Sequence, residues 1–201
     1  MNVPDKNYLS VDLDFFKRLG YWDTGALDFL LDVIVSRGIR DVLLEPDHEI
    51  MTLLPRKYRL AGITVVNVDQ HDDCGWCPRG TDLNIGNWGT HIQREGAKLI
   101  WIKPSEGSVS CGGERGSILP KKTIPLTSPW SAFWKLHIPA EIEKVAFYIS
   151  RPFFDHVCRP YALTLAIFQS CRRWSVRING QPMRDWSVSD LLNIIENSRE
   201  E

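Results

Sequence analysis

Residues 63–73 read ITVVNVDQHDD, and how this stretch is read decides the fold. Ile63–Val68 is apolar and rich in β-branched residues, which marks a buried strand. It then breaks into Asp69, His71, Asp72 and Asp73. A core strand that runs out into acids and an imidazole is the pattern of a parallel sheet, whose chemistry sits at the carboxyl ends of its strands.

The flanking sequence repeats the pattern. Tyr8–Phe16 (YLSVDLDFF) reads as a strand ending near Asp14, and Asp41–Glu45 (DVLLE) as a short buried strand leading into Pro46, Asp47 and His48. A helix over Gly25–Ser36, capped by Asp23 or Thr24 and stopped by Gly38, lies between these two strands. Another helix is expected from Pro46 to about Leu54. Leu83–Gly96 holds a loop and a helix, Lys98–Lys103 (KLIWIK) a strand, and Lys144–Ser150 (KVAFYIS) a further strand. Helices are expected at Tyr161–Trp174 and Ser187–Asn197. The Gly/Ser/Pro/Lys-rich stretch 104–129 reads as a long loop, with a β-ribbon around Ser117–Ile124. Strands alternating with helices predict an α/β fold: a mainly parallel sheet flanked by helices on both faces, in one domain spanning 1–201.

Composition excludes several classes of function. With 24 basic and 25 acidic residues the net charge is −1, without the basic excess expected of nucleic-acid or membrane-surface partners. No apolar run approaches the length of a membrane span and the first residues are not a signal peptide, so a cytoplasmic protein is expected. Five cysteines (Cys74, Cys77, Cys111, Cys158 and Cys171) are read as reduced thiols. Cys74 and Cys77 have knuckle spacing but lack a second ligand pair for zinc.

Residues i and i+2 of a strand face the same side. Asp12 and Asp14 should therefore face together, as should Asp69, His71 and, if the chain stays extended, Asp73. Asp72 alternates away and should be dispensable for metal and turnover. A single acid at a strand end is usually a cap or turn former, but three such ends converging would gather carboxylates that repel and protonate. No Lys or Arg lies inside the three motifs. A pair of divalent cations resolves the conflict, and an oxygen-rich shell with imidazoles favours Mn²⁺ over Zn²⁺.

At these residues the chain resembles the arginase–deacetylase superfamily of metallohydrolases. DQHDD matches the Asp-x-His-x-Asp signature of ureohydrolases, and VDLD resembles their Asp-x-Asp strand end. YLSVDLDFF, LLEPDHEI, VVNVDQHDD, LNIGNWGTHI and KLIWIKP together are similar to the small arginase-like family that contains the peptide arginases of ribosomal-peptide (RiPP) biosynthesis. The likeness covers about residues 8–103. It implies a hydrolase with two Mn²⁺ that converts arginine side chains within a precursor peptide to ornithine, releasing urea. Asp69 and Asp12 would bridge the metals, His48 and Asp73 completing one shell and His71 and Asp14 the other. His91 would shuttle protons. Glu45 would grip the guanidinium or orient His48, with Glu49 and Asp155 as rivals for the gripping role. The chain departs from the longer ureohydrolases in presenting Asp-x-Asp first and in being shorter, which suits a peptidyl side chain better than free arginine.

Three other readings compete. A two-metal phosphoesterase of the Asp-His-His type would need a late Gly-rich motif bearing histidine, and CGGERG (111–116) has none. A single-zinc deacetylase would need a tandem histidine pair. A non-enzymatic module could grip peptides with Trp76, Trp88, Trp101, Trp130, Trp134, Trp174 and Trp186.

Overall fold

A computed structural model of the chain describes residues 6–18, 21–39, 41–45, 53–54, 60–75, 84–113, 115–148, 175–178 and 181–182. The strands are β1 Lys6–Asp12, β2 Lys17–Arg18, β3 Tyr21–Trp22, β4 Asp41–Glu45 and β5 Ile63–Val68, followed by β6 Lys98–Lys103, β7 Lys122–Pro125, β8 Lys144–Tyr148, β9 Ser175–Ile178 and β10 Gln181–Pro182. The helices are α1 Thr24–Ser36, α2 Trp88–Arg94 and α3 Trp130–His137, and a 3₁₀ turn covers Leu13–Phe16.

Eight strands form one sheet in the order β10-β9-β4-β8-β1-β5-β6-β7, while β2 and β3 make a separate antiparallel pair. Every pairing in the large sheet is parallel except β9–β10. The α/β fold with a mainly parallel sheet is as the alternation of elements predicts. Successive strands are laid on both sides of β1, and sheets of this kind open a crevice beyond the carboxyl ends at such a reversal.

Strand alternation sends Leu9 and Val11, Val66 and Val68, and Val145 and Phe147 to one face. There α1 and α3 cover them with Leu27, Leu30, Ile34, Phe133 and Trp134. The opposite face carries Tyr8, Val65, Leu99, Ala146 and Tyr148 under Trp88 and Ile92 of α2. Full burial of each large apolar side chain contributes about 1.5–3 kcal/mol, so the two clusters clamp the sheet from both sides. Helix α1 starts where Asp23 accepts a hydrogen bond from Ala26 N at 3.1 Å. It ends at Arg37, before Gly38 takes φ 69°.

The structure corrects the sequence reading at several points. The ribbon expected at Ser117–Ile124 is instead a single edge strand, β7, paired in parallel with β6. Helix α3 follows the expected loop, in a stretch to which the sequence reading assigned no element. Its aromatic residues are weak helix formers, and Trp134 is held by burial and by donating from Nε1 to Ala26 O at 2.9 Å. The expected helix from Pro46 falls outside the described residues apart from Leu53 and Leu54, and those at Tyr161–Trp174 and Ser187–Asn197 fall wholly outside. No helix among the described residues is long and apolar enough to cross a membrane.

Candidate acidic site at the carboxyl edge

The second face of the sheet turns polar as it rises. Along β1 the inward residues run Tyr8, Ser10, Asp12, and along β5 they run Val65, Asn67, Asp69. Ser10 and Asn67 stand opposite each other in the strand register and both are fully buried. The ladder continues one step past β5, where Asp69 N donates to Ile102 O at 3.1 Å. Asp69 is therefore carried next to Asp12 at the carboxyl ends of adjacent central strands.

Asp14 lies near enough to Asp12 and His71 for its charge to act on both, but not along an extended strand. β1 stops at Asp12, whose Oδ1 accepts from Asp14 N at 2.9 Å, and the chain turns into the 3₁₀ segment. Asp73 also leaves the extended path, with φ 50°. That left-handed conformation is one that Asp tolerates better than most residues. It folds the turn back so that Asp73 and Asp69 share a hydrogen bond.

Asp69 and Asp73 are buried, and Asp12 is half-buried by whole-residue exposure with its carboxyl deep in the interior. Burial first, then the charges of Asp69 and Asp14, push the Asp12 carboxyl well above its usual range. Asp73 is raised in the same way by burial, by Asp69 and by Asp12, against an opposing hydrogen bond from Trp88. Half-exposed His71 stands at the rim with Nδ1 3.6 Å from Asp69 Oδ1. That contact raises its pKa, burial opposing it, and the charges of Asp69, Asp14 and Asp72 add to the rise. The backbone of His71 donates to the same carboxylate oxygen at 2.9 Å.

Asn67, which the sequence reading passed over as a strand residue, lies beneath the acids. Its Nδ2 is 3.5 Å from Asp69 Oδ2, from Asp73 Oδ2 and from the carbonyl of His71. Its Oδ1 is buried with no hydrogen-bond partner among the described residues. The available signal was a polar residue in step with Asp69 inside an otherwise apolar strand.

Asp72 points away from the trio as alternation predicts, yet it is buried and heavily used. It accepts from Cys111 N at 2.8 Å, from Cys74 N at 3.1 Å and from the Ser110 hydroxyl. With the Val109 N to Gln70 O bond at 2.8 Å, these contacts stitch the 104–121 loop to the site. Asp72 is a turn former, as a strand-end acid usually is, and it also anchors the loop.

The remaining candidates divide. Glu45 ends β4 in register with Tyr148, which is itself in register with Asp12. Two strand spacings separate Glu45 from Asp12, about 10 Å. His91 lies on α2, half-buried, and its ring makes no hydrogen bond or ion pair to the acids among the described residues. His48, Glu49 and Asp155 fall outside the described residues, as do Cys77, Cys158 and Cys171. Cys74 is buried and its thiol is pushed far up, chiefly by burial and then by Asp72, Asp73 and Cys111, which disfavours the thiolate a zinc knuckle requires. Trp88, Trp101 and Trp134 are core residues, with Trp101 Nε1 bonded to Asp69 O at 2.9 Å, so they do not form a gripping surface. Trp130 is half-buried, and Trp76, Trp174 and Trp186 lie outside the described residues.

In chemistry the donor set fits a hard divalent cation: carboxyl groups raised by one another's charge are relieved by a metal. In geometry it falls short: no three His, Cys, Asp or Glu side chains among the described residues stand close enough to hold an ion. No family model, curated protein or solved structure matches the chain.

Proposed function

We propose that the chain is a manganese-dependent hydrolase acting on the C–N bond of a guanidinium group, converting arginine side chains within a peptide to ornithine and urea. The observation that carries this reading is the convergence of Asp12, Asp69 and Asp73 at the carboxyl ends of adjacent central strands, where burial and the charge of Asp69 raise both Asp12 and Asp73. Asp12, Asp69 and Asp73 would hold the metals, with Asp14, His71 and His48 completing the set. When bound, two Mn²⁺ would supply water activated near neutral pH and a field favouring attack at the guanidinium carbon. Glu45 would orient the planar guanidinium by bidentate hydrogen bonding, and His91 would return a proton to the departing amine. The site is framed on one side by the loop that Asp72 anchors, against which a peptide backbone would lie. Free arginine would bring charged α-groups that need partners of their own.

The test is to incubate the purified chain and Mn²⁺ with an arginine-containing peptide and, separately, with free arginine, following urea release and conversion of the peptide to its ornithine form. Faster turnover of the peptide supports the proposal. Preference for free arginine, or turnover of a phosphodiester alone, would overturn it.

A further inference from the structure

We infer that Cys74 and Cys111 are a redox pair, joining in a reversible disulfide that fastens the 104–121 loop to the carboxyl edge of the sheet. The inference stands apart from the hydrolase reading. Both cysteines are free thiols, Cys74 buried and Cys111 half-exposed. The fold brings them to one point. Their backbone N–H groups donate to the same oxygen, Asp72 Oδ1, at 3.1 Å from Cys74 and 2.8 Å from Cys111. The two nitrogens are therefore at most about 6 Å apart, against the roughly 4.4–6.8 Å between the Cα atoms of bridged cysteines. Their chains meet at the neighbouring glycines as well. A Cβ on Gly112 would stand 3.4 Å from Cys74 Cβ, and one on Gly75 would stand 3.7 Å from Cys111 O. The Cys111 thiol accepts a hydrogen bond from Asp73 N–H, which aims it at the turn that carries Cys74. Cys74 Sγ lies 3.7 Å from Gln93 Nε2, and rotation about χ1 would exchange that contact for the Cys111 sulfur.

The oxidant is hydrogen peroxide. The half-exposed Cys111 sulfur attacks it, an S–O bond forming as the O–O bond breaks, and one water leaves. Cys74 then displaces the hydroxyl of the resulting sulfenic acid, which departs with the Cys74 proton as a second water. Two thiols are oxidised and one peroxide is reduced to two waters. Burial and the neighbouring acids push both thiols up, so neither reacts readily alone and the second step depends on the sulfurs being held together. A dithiol reductant reverses the bond. While it stands, the loop is tied covalently to a turn that otherwise holds it through hydrogen bonds to Asp72 and Gln70.

The experiment treats the full chain with excess hydrogen peroxide, removes the peroxide with catalase, alkylates the remaining thiols in denaturant and maps tryptic peptides without reduction. The chain should lose two of its five thiols, and the peptides carrying Cys74 and Cys111 should run joined until dithiothreitol separates them. Cys77 shares the tryptic peptide of Cys74, so fragment ions of the natural chain, and the same linkage in Cys77→Ser, assign the bond. Hydrogen exchange reads the consequence: amides of the 104–121 loop should exchange several-fold more slowly in the oxidised chain than in the reduced one. Survival of all five thiols, recovery of Cys111 as a sulfinic acid, or a bond from either cysteine to Cys77, Cys158 or Cys171 overturns the inference. Loop exchange unchanged by a Cys74–Cys111 bond overturns the fastening role.

Discussion

At the amino-terminal edge of the sheet acids meet lysines in water; at the carboxyl edge acids meet acids in the interior. Glu143 pairs with Lys6 at 3.0 Å and Asp41 with Lys144 at 3.7 Å, with all four side chains partly exposed. Such pairs contribute little, because water and salt screen them. Asp12, Asp69 and Asp73 are instead sunk in the interior, where burial makes charge expensive and Asp69 raises both Asp12 and Asp73 further. The same residue type is ordinary surface chemistry at one end and concentrated negative potential at the other. Folding tolerates that concentration at the carboxyl edge because protons, or a cation, can neutralise it.

The contrast is broken most completely by removing one member of the trio. Asp69→Ala should abolish hydrolysis and reduce bound manganese to background by metal analysis, because Asp69 touches the Asp12, Asp73 and His71 relationships at once. A variant that retains both would refute the assignment.

Next in size is the loss when Asp72 is removed. Asp72→Ala deprives two backbone N–H groups and the Ser110 hydroxyl of a buried acceptor, costing about 3 kcal/mol in denaturant unfolding. Manganese bound per folded molecule should stay near wild type, since Asp72 faces the loop.

The metal-free protein should show the third effect. A carboxyl raised in the folded state binds its proton more tightly there than in the unfolded chain. Stability therefore falls as pH rises from the unfolded carboxylate range, about 3.9, through the raised folded values. His71, also raised, contributes stability that is complete below its unfolded pKa and lost as pH climbs through the folded one. Both signs make metal-free protein more stable near pH 5 than near pH 8, with Mn²⁺ closing the gap. Asp73→Asn, which keeps a residue tolerant of φ 50°, should raise metal-free stability at pH 8 by about 1–3 kcal/mol. Thermal melts across pH, with and without Mn²⁺, read both.

The smallest effect belongs to the opposite edge. Glu143→Gln removes an exposed ion pair and should leave the melting temperature and its pH profile unchanged within error. A shift as large as that of Asp73→Asn would erase the distinction between the edges.

Much of the framework is legible in the sequence because period and burial coincide. DVLLE and KLIWIK are strands to the residue, and Asp23 caps α1 as its side-chain type suggests. What escaped was set by tertiary contacts. WSAFWKLH becomes a helix because Phe133 and Trp134 have a core to enter, and Lys122–Pro125 becomes a strand because β6 offers an open edge. At the site, the pairing of Asp12 with Asp69 follows from motif and topology. The i, i+2 rule does not apply at Asp14 and Asp73 because the backbone is not extended there, turning into a 3₁₀ segment and a left-handed residue. Asp73 nevertheless reaches the trio by that turn. Asn67 was hidden because one polar residue in an apolar strand carries no motif.

The order of strands also sets a sequence of events in time. β1 and β5 are neighbours, so Asp12 and Asp69 can come together once residues 6–69 have been made. Among the described strands β4 pairs only with β8 and β9, and both come later in the chain, β8 at residues 144–148. Closing so long a loop is slow compared with local pairing. Glu45, at the tip of β4, is therefore the late arrival, and a chain halted on the ribosome before residue 144 would carry the acids of the centre without the strand expected to present its substrate.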